Sequence, residues 1–151
     1  MKRLDGNVTL ITGGGKGIGF GLATAFAREG SDLVITGRNE GRLLAAKDEL
    51  EKKYGVKVLP VVADGADEAS VKRTVAKCIE IFGRIDTLIN NAQVSKSGVL
   101  LVDHSKEDFD MAIMSGLYAA FFYMRECFPY LKESGGSVIN FESGAGLFGK
   151  P

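Results

Sequence analysis

Residues 12–19 read Thr-Gly-Gly-Gly-Lys-Gly-Ile-Gly. Glycine permits a tight turn and lets backbone N–H groups approach a pyrophosphate. A helix N-terminus adds favourable partial positive charge. Alone, the stretch also reads as a flexible turn between a strand and a helix. A P-loop is disfavoured, because Lys16 is followed by Gly17 rather than Ser or Thr, and the spacing Gly13, Gly17, Gly19 departs from G-x-G-x-x-G. Two cations, Lys16 and Arg38, are available to anions.

Apolar runs of strand length alternate with segments of helical period. Strands are predicted at Asn7–Thr12, Asp32–Thr36, Lys57–Ala63, Asp86–Asn90 and Ser137–Phe141. Between them, Ile18–Glu29 presents Ile18, Leu22, Ala25 and Phe26 on one face, with Gly30 placed to end the helix. Asn39 can cap Glu40–Tyr54, which places Leu43, Ala46 and Leu50 together and stops at Gly55. Glu68–Phe82 repeats Val71, Val75, Cys78, Ile79 and Phe82 at helical spacing and stops at Gly83. Ser105–Asp108 resembles a capping box and opens a helix running to Lys132. One face of that helix carries Phe109, Ile113, Leu117, Met124 and Leu131; a second stripe carries Met111, Ser115, Tyr118 and Phe122. A helix apolar nearly all round is expected to be covered by its own domain or by another subunit. The alternation implies an α/β fold, a doubly wound parallel sheet covered on both faces, in one domain spanning residues 1–151.

The glycine stretch matches T-G-x-x-x-G-x-G, and the chain resembles the short-chain dehydrogenase/reductase family. Asp64 ends the third strand, Asn90–Gln93 (NNAQ) resembles the family's N-N-A-G, and Ser143 follows the fifth strand in INFESGAG. The resemblance covers essentially the whole chain. It implies a Rossmann-type sheet in the order 3-2-1-4-5, with later strands absent from this chain. It also implies a dinucleotide site at Thr12, Gly13, Gly15, Lys16, Gly17, Ile18, Gly19, Arg38, Asp64, Asn91 and Ala92, and Ser143 as the serine that orients the substrate oxygen. Within the family, LINNAQ, SGLYAAFFYMRECFPYLKE and SGAGLFG look like bacterial 12α-hydroxysteroid dehydrogenases. A site selecting NAD usually has an acidic residue at the end of the second strand. Here Gly37 stands there and Arg38 follows, so Lys16 and Arg38 are expected to close on a 2′-phosphate and select NADP(H).

The resemblance implies a tyrosine acid/base with a lysine four positions on, which shares its helix face and supplies the cation that a phenol needs to work near neutrality. The four tyrosines, Tyr54, Tyr118, Tyr123 and Tyr130, are followed four positions later by Val58, Phe122, Cys127 and Ser134, so no such pair occurs. The family's Tyr-x-x-x-Lys is expected about a dozen residues after the serine, beyond Pro151, so the chain reads as truncated before its acid/base pair. Gly116 stands where the family often has Asn, and Gln93 replaces the glycine of N-N-A-G. Gln93 either contacts ligand or points to water. Glu142 is expected on the opposite face from Ser143, structural or solvated. Three readings remain. One is an NADP(H)-dependent oxidoreductase interconverting a secondary alcohol and a ketone, with a hydroxysteroid substrate. Another is a 3-oxoacyl-thioester reductase. The third, for a chain that ends at residue 151, is an inactive dinucleotide-binding module. The resemblance also implies a homodimer or homotetramer built on the long helix.

Bulk properties narrow the partners. Lys plus Arg and Asp plus Glu are 19 each, so no net field favours nucleic acid or an anionic membrane. No apolar run is long enough to cross a bilayer, and the N-terminus lacks a signal peptide's apolar region. Cys78 and Cys127 lie far apart without Cys-x-x-Cys, which argues against a metal site and fits a reducing cytoplasm, with both thiols buried as small hydrophobes. A fifth strand at a sheet edge and a long helix partly uncovered would promote association.

Overall fold

Each apolar run between residues 8 and 140 forms one strand of a single sheet. The computed structural model describes residues 1–144, 147 and 148. Part of SGAGLFG and the final residues 149–151 therefore lie outside the described residues. The strands are β1 (Val8–Ile11), β2 (Asp32–Gly37), β3 (Val58–Val62), β4 (Thr87–Asn90) and β5 (Ser137–Asn140). All pairings are parallel, in the order β3-β2-β1-β4-β5. Neighbouring strand residues face opposite sides of the sheet. Leu10, Val34 and Leu88 enter one core with Val71, Val75 and Cys78, and with Phe122, Tyr123 and Cys127. Ile11, Ile35 and Ile89 enter the other with Ala23, Ala27, Leu43, Ala46 and Leu50. Cores on both faces explain why the strands read as continuous apolar runs rather than as alternating ones.

The helices are α1 (Gly17–Arg28), α2 (Glu40–Tyr54), α3 (Glu68–Phe82), α4 (Lys106–Ala112) and α5 (Ala119–Ser134); a π-helical segment, Ile113–Tyr118, joins the last two. Asn39 Oδ1 accepts from the Arg42 N–H at 2.9 Å, and Gly55 ends α2 in the left-handed region. Asp67 caps α3, and Gly83 ends it in the same way. The expected capping box is formed by Ser105 and Asp108. A backbone hydrogen bond from the Ser105 N–H, aided by that carboxylate's pairing with Lys96, holds Asp108 below the usual carboxylate range.

Two expectations about helix faces are corrected. In α1 the buried residues are Gly19, Ala23 and Ala27, whereas Ile18 is 67% exposed. The glycine loop brings the helix so close to the sheet that a stripe of small residues must face it, and Leu22 and Phe26 flank that contact. The long helix is also not one continuous α-helix. A π segment holds an extra residue per turn and rotates α5 relative to α4. Consequently Phe109 and Leu117 are exposed, while Phe122, Cys127 and Leu131 reach the core. Phe121 and Phe128 lie on the exposed side of α5, and β5 exposes Val138 and Ile139 at the sheet edge. Both cysteines are free and buried, and burial pushes each thiol up to about 12, which leaves them inert hydrophobes. Among the described residues no helix is long and apolar enough to cross a membrane.

Buried Asp86 anchors the start of the sheet. Its carboxylate accepts from the Val8 N–H at 2.8 Å and from the Arg84 guanidinium through two bonds, at 2.7 and 2.9 Å. Asp86→Ala leaves the Val8 N–H without its partner and is expected to cost about 1–3 kcal/mol, read by urea unfolding. Asp86→Asn, which keeps an acceptor, is expected to lose less.

Candidate dinucleotide and substrate cleft

β2 and β3 lie to one side of β1, and β4 and β5 lie to the other. The chain therefore reverses its direction of winding between β1 and β4, and in open parallel sheets ligands bind at the carboxyl ends of strands at such a point. A cavity of about 1270 Å³ occupies that place. It exceeds the roughly 300–1,000 Å³ common for one small ligand and has room for a second.

The floor of the cleft is a latch between the ends of β1 and β4. Thr12 Oγ1 accepts from the Asn91 N–H at 3.0 Å and from the Ala92 N–H at 2.9 Å, and it donates to the Ile89 carbonyl at 3.4 Å. Asn91 Nδ2 donates back to the Thr12 carbonyl at 3.0 Å. Above the latch, Gly13 and Gly17 hold left-handed backbone, with φ of 69° and 53°. Gly19 is required by space: a Cβ there would stand 2.1 Å from the Gly13 carbonyl oxygen and 2.7 Å from Asn91 Nδ2. A Cβ on Gly14 would stand 2.7 Å from Ile35.

Helix α1 opens into this cleft at Gly17 and Ile18, and its N-cap, Lys16, makes no side-chain capping bond. The starts of α2, α3 and α4 are each capped by a side chain. The first N–H groups of α1 thus keep their capacity for a phosphate, which fits the donor set of a dinucleotide site. Lys16 and Gly15 line the cavity beside them. Arg38 lines it just past the end of β2, joined by Arg42 from the first turn of α2. Asp64 lines it past β3, where Oδ1 accepts from the Ala66 N–H at 3.0 Å.

The other end lies past β4 and β5. Ala92 and Gln93 line it from the loop after β4; Glu142 and Ser143 line it beyond β5. Glu142 is exposed, and it borders the same cavity as Ser143 because the chain has left β5, where strict alternation would apply. Every residue put forward from the sequence for this site therefore borders one cavity. Tyr123 also reaches the wall, but it is 1% exposed, and burial holds its hydroxyl above the usual phenol range. That is the wrong direction for an acid/base group near neutrality. Sequence reasoning overlooked Arg42 and Ser115. Arg42 left a signal, a second arginine four positions after Arg38; Ser115 sits in an apolar helix and left none. Because the glycine loop has no spare room at Gly19, Gly19→Ala is expected to lower stability by about 1–3 kcal/mol. Gly21, where a Cβ meets nothing within 4 Å, is expected to tolerate alanine and gain about 0.5–1 kcal/mol in the same unfolding measurement.

Comparison with known proteins agrees with this geometry. A 12alpha-hydroxysteroid dehydrogenase of Clostridium sp. (strain ATCC 29733 / VPI C48-50) is 62% identical over 99% of the chain, which spans 60% of that relative's length. The crystal structure of NAD+-bound xylitol dehydrogenase superposes with a TM-score of 0.93 at 29% identity, covering 99% of this chain and 58% of that one. L-Sorbose reductase from Gluconobacter frateurii, complexed with NADPH and L-sorbose, gives a TM-score of 0.86 at 33% identity, covering 91% and 52%. The family model described as short chain dehydrogenase matches residues 7–151. By that match, together with the parallel sheet, the glycine loop and the Thr12 latch, the chain belongs to the short-chain dehydrogenase/reductase family.

Proposed function

We propose that the protein is an NADP(H)-dependent oxidoreductase that interconverts a secondary alcohol and a ketone, acting on a hydroxysteroid. Bound nicotinamide supplies the hydride acceptor or donor. The observation that carries the cofactor choice is Gly37. Its backbone is not in the left-handed region, and a Cβ there would meet Leu43 at an ordinary 3.4 Å. Conformation therefore does not demand glycine at the end of β2. The missing side chain leaves room beside Arg38, Lys16 and Arg42 rather than an acid to receive ribose hydroxyls. Three cations at that end favour a 2′-phosphate.

The remaining roles are distributed along the cleft. The pyrophosphate lies at the start of α1, on the N–H groups that no side chain caps. Asp64 lies at the adenine end. Asn91 and Ala92 keep the pocket floor in register through Thr12. Ser143 orients the substrate oxygen. No Tyr-x-x-x-Lys pair occurs within residues 1–151, which span 60% of the 62% identical relative's length; these residues contribute the cofactor half of the reaction. The hydroxysteroid substrate is supported by the 62% identical relative. The exposed side of α5, with Phe121 and Phe128, supports assembly into a homodimer or homotetramer.

The cofactor reading is tested by titrating NADPH and NADH against the protein and its Arg38→Ala variant. A charge-assisted hydrogen bond is worth about 1.5–3 kcal/mol. The variant is therefore expected to reduce the NADPH/NADH affinity ratio by about ten- to a hundredfold. An unchanged ratio refutes the assignment. For the substrate, the protein from the complete reading frame is expected to turn over hydroxysteroids with NADP(H); preference for 3-oxoacyl thioesters would replace this reading with an acyl-thioester reductase.

A further inference from the structure

Five side-chain amides border the cleft: Asn39, Asn90, Asn91, Gln93 and Asn140. Four of them are engaged. Asn39 caps α2, and Asn91 holds the Thr12 carbonyl. Asn90 Nδ2 donates to Asn140 Oδ1 at 2.8 Å. Of these five, the Gln93 carboxamide alone makes no such bond among the described residues. Gln93 lies past β4, beside the Ser143 end and away from the cations of β1 and β2.

Its position is set by the π segment. Ser115 Oγ accepts from the Val94 N–H at 2.9 Å and donates to the Val94 carbonyl at 2.9 Å. One hydroxyl thus ties both main-chain groups of the residue next to Gln93. The neighbouring Gly116 packs beside it: a Cβ there would stand 3.6 Å from Gln93 Cγ, an ordinary contact. A π segment within an α-helix frequently marks a functional site. Here it carries the serine that clamps the loop and a glycine that packs beside Gln93.

We propose that Gln93 is a specificity-determining residue that hydrogen-bonds a neutral donor–acceptor group at the reacting end of the cleft, and that Ser115 is the positioning residue that holds it there. This rests on the NADP(H) reading above. A carboxamide offers both donors and an acceptor without charge. The matching chemistry is a carboxamide or a hydroxyl, supplied either by the nicotinamide or by the substrate.

The test uses the protein from the complete reading frame and measures Kd for NADPH, Kd for 2′,5′-ADP (which lacks nicotinamide), and KM and kcat for a hydroxysteroid. Loss of a neutral hydrogen bond corresponds to about a three- to tenfold effect. In Gln93→Ala, weaker NADPH binding with unchanged 2′,5′-ADP binding assigns the partner to nicotinamide. A higher KM with unchanged Kd values assigns it to the substrate. Unchanged values throughout, or equal weakening of NADPH and 2′,5′-ADP, overturn the proposal. Ser115→Ala is expected to reproduce the Gln93→Ala effect, the double variant to show no further loss, and Ser115→Thr to restore wild-type values. Additive losses, or a Ser115→Ala protein that only melts earlier, overturn the positioning role. A wild-type protein that binds neither nucleotide would overturn the cofactor reading itself, a result distinct from wild-type binding that Gln93→Ala leaves untouched.

Discussion

The hydroxyl of Thr12 holds the ends of two strands together where the sheet reverses its winding. It receives two consecutive N–H groups from the chain leaving β4, while Asn91 returns a bond to the Thr12 carbonyl. Thr12 is buried and its bonds to Asn91 and Ala92 are partly buried, so leaving the hydroxyl unpaired would be costly. The latch sets the distance between the glycine loop and β4. That distance determines that Gly19 has no room for a side chain against Gly13 and Asn91. The same distance fixes the approach of α1 to the sheet, the small-residue face it buries and the depth of the cleft.

Stability and function divide the helix termini between them. Where a helix start serves only the fold, a side chain satisfies it: Asn39 for α2, Asp67 for α3 and Ser105 for α4. The start of α1 lacks such a cap and opens into the cleft. An unsatisfied helix start is tolerable there because solvent or a ligand oxygen can reach it. The charges are likewise distributed. Lys16, Arg38 and Arg42 gather near β1 and β2, whereas the polar groups near β4 and β5 include Gln93, Glu142 and Ser143. The order of the strands places the three cations at one end of the cleft and these polar groups at the other.

The π segment links the site to the molecular surface. Its extra residue per turn shifts the phase between α4 and α5. Ser115 then meets the loop after β4, and Phe122, Cys127 and Leu131 meet the core. The same shift leaves Leu117, Phe121 and Phe128 exposed, the first two bordering the cleft. Arg125 lies over the Phe121 and Phe122 rings and pairs with Glu68 and Glu126, which ties α5 to α3 along the border of that apolar face.

Local chemistry made much of this protein legible in its sequence. Asn39, Gly55, Gly83 and the Ser105–Asp108 box mark helix ends because caps act within a few residues of chain. The strands are legible because a parallel sheet buries both faces and so demands unbroken apolar runs. The glycine loop, Arg38, Asp64, NNAQ and Ser143 are legible as a set because each comes just after the end of its own strand. Tertiary structure decided the rest. Periodicity placed Ile18 on the buried face of α1, but the closeness of the glycine loop to β4 selected the small residues instead. Periodicity also read residues 105–132 as one continuous helix, because a single extra residue per turn leaves no mark in composition. The Ser115–Val94 clamp spans 21 residues and the Thr12 latch about 80. Contacts of that range depend on how separate elements come to lie side by side, and only the folded sheet brings them together.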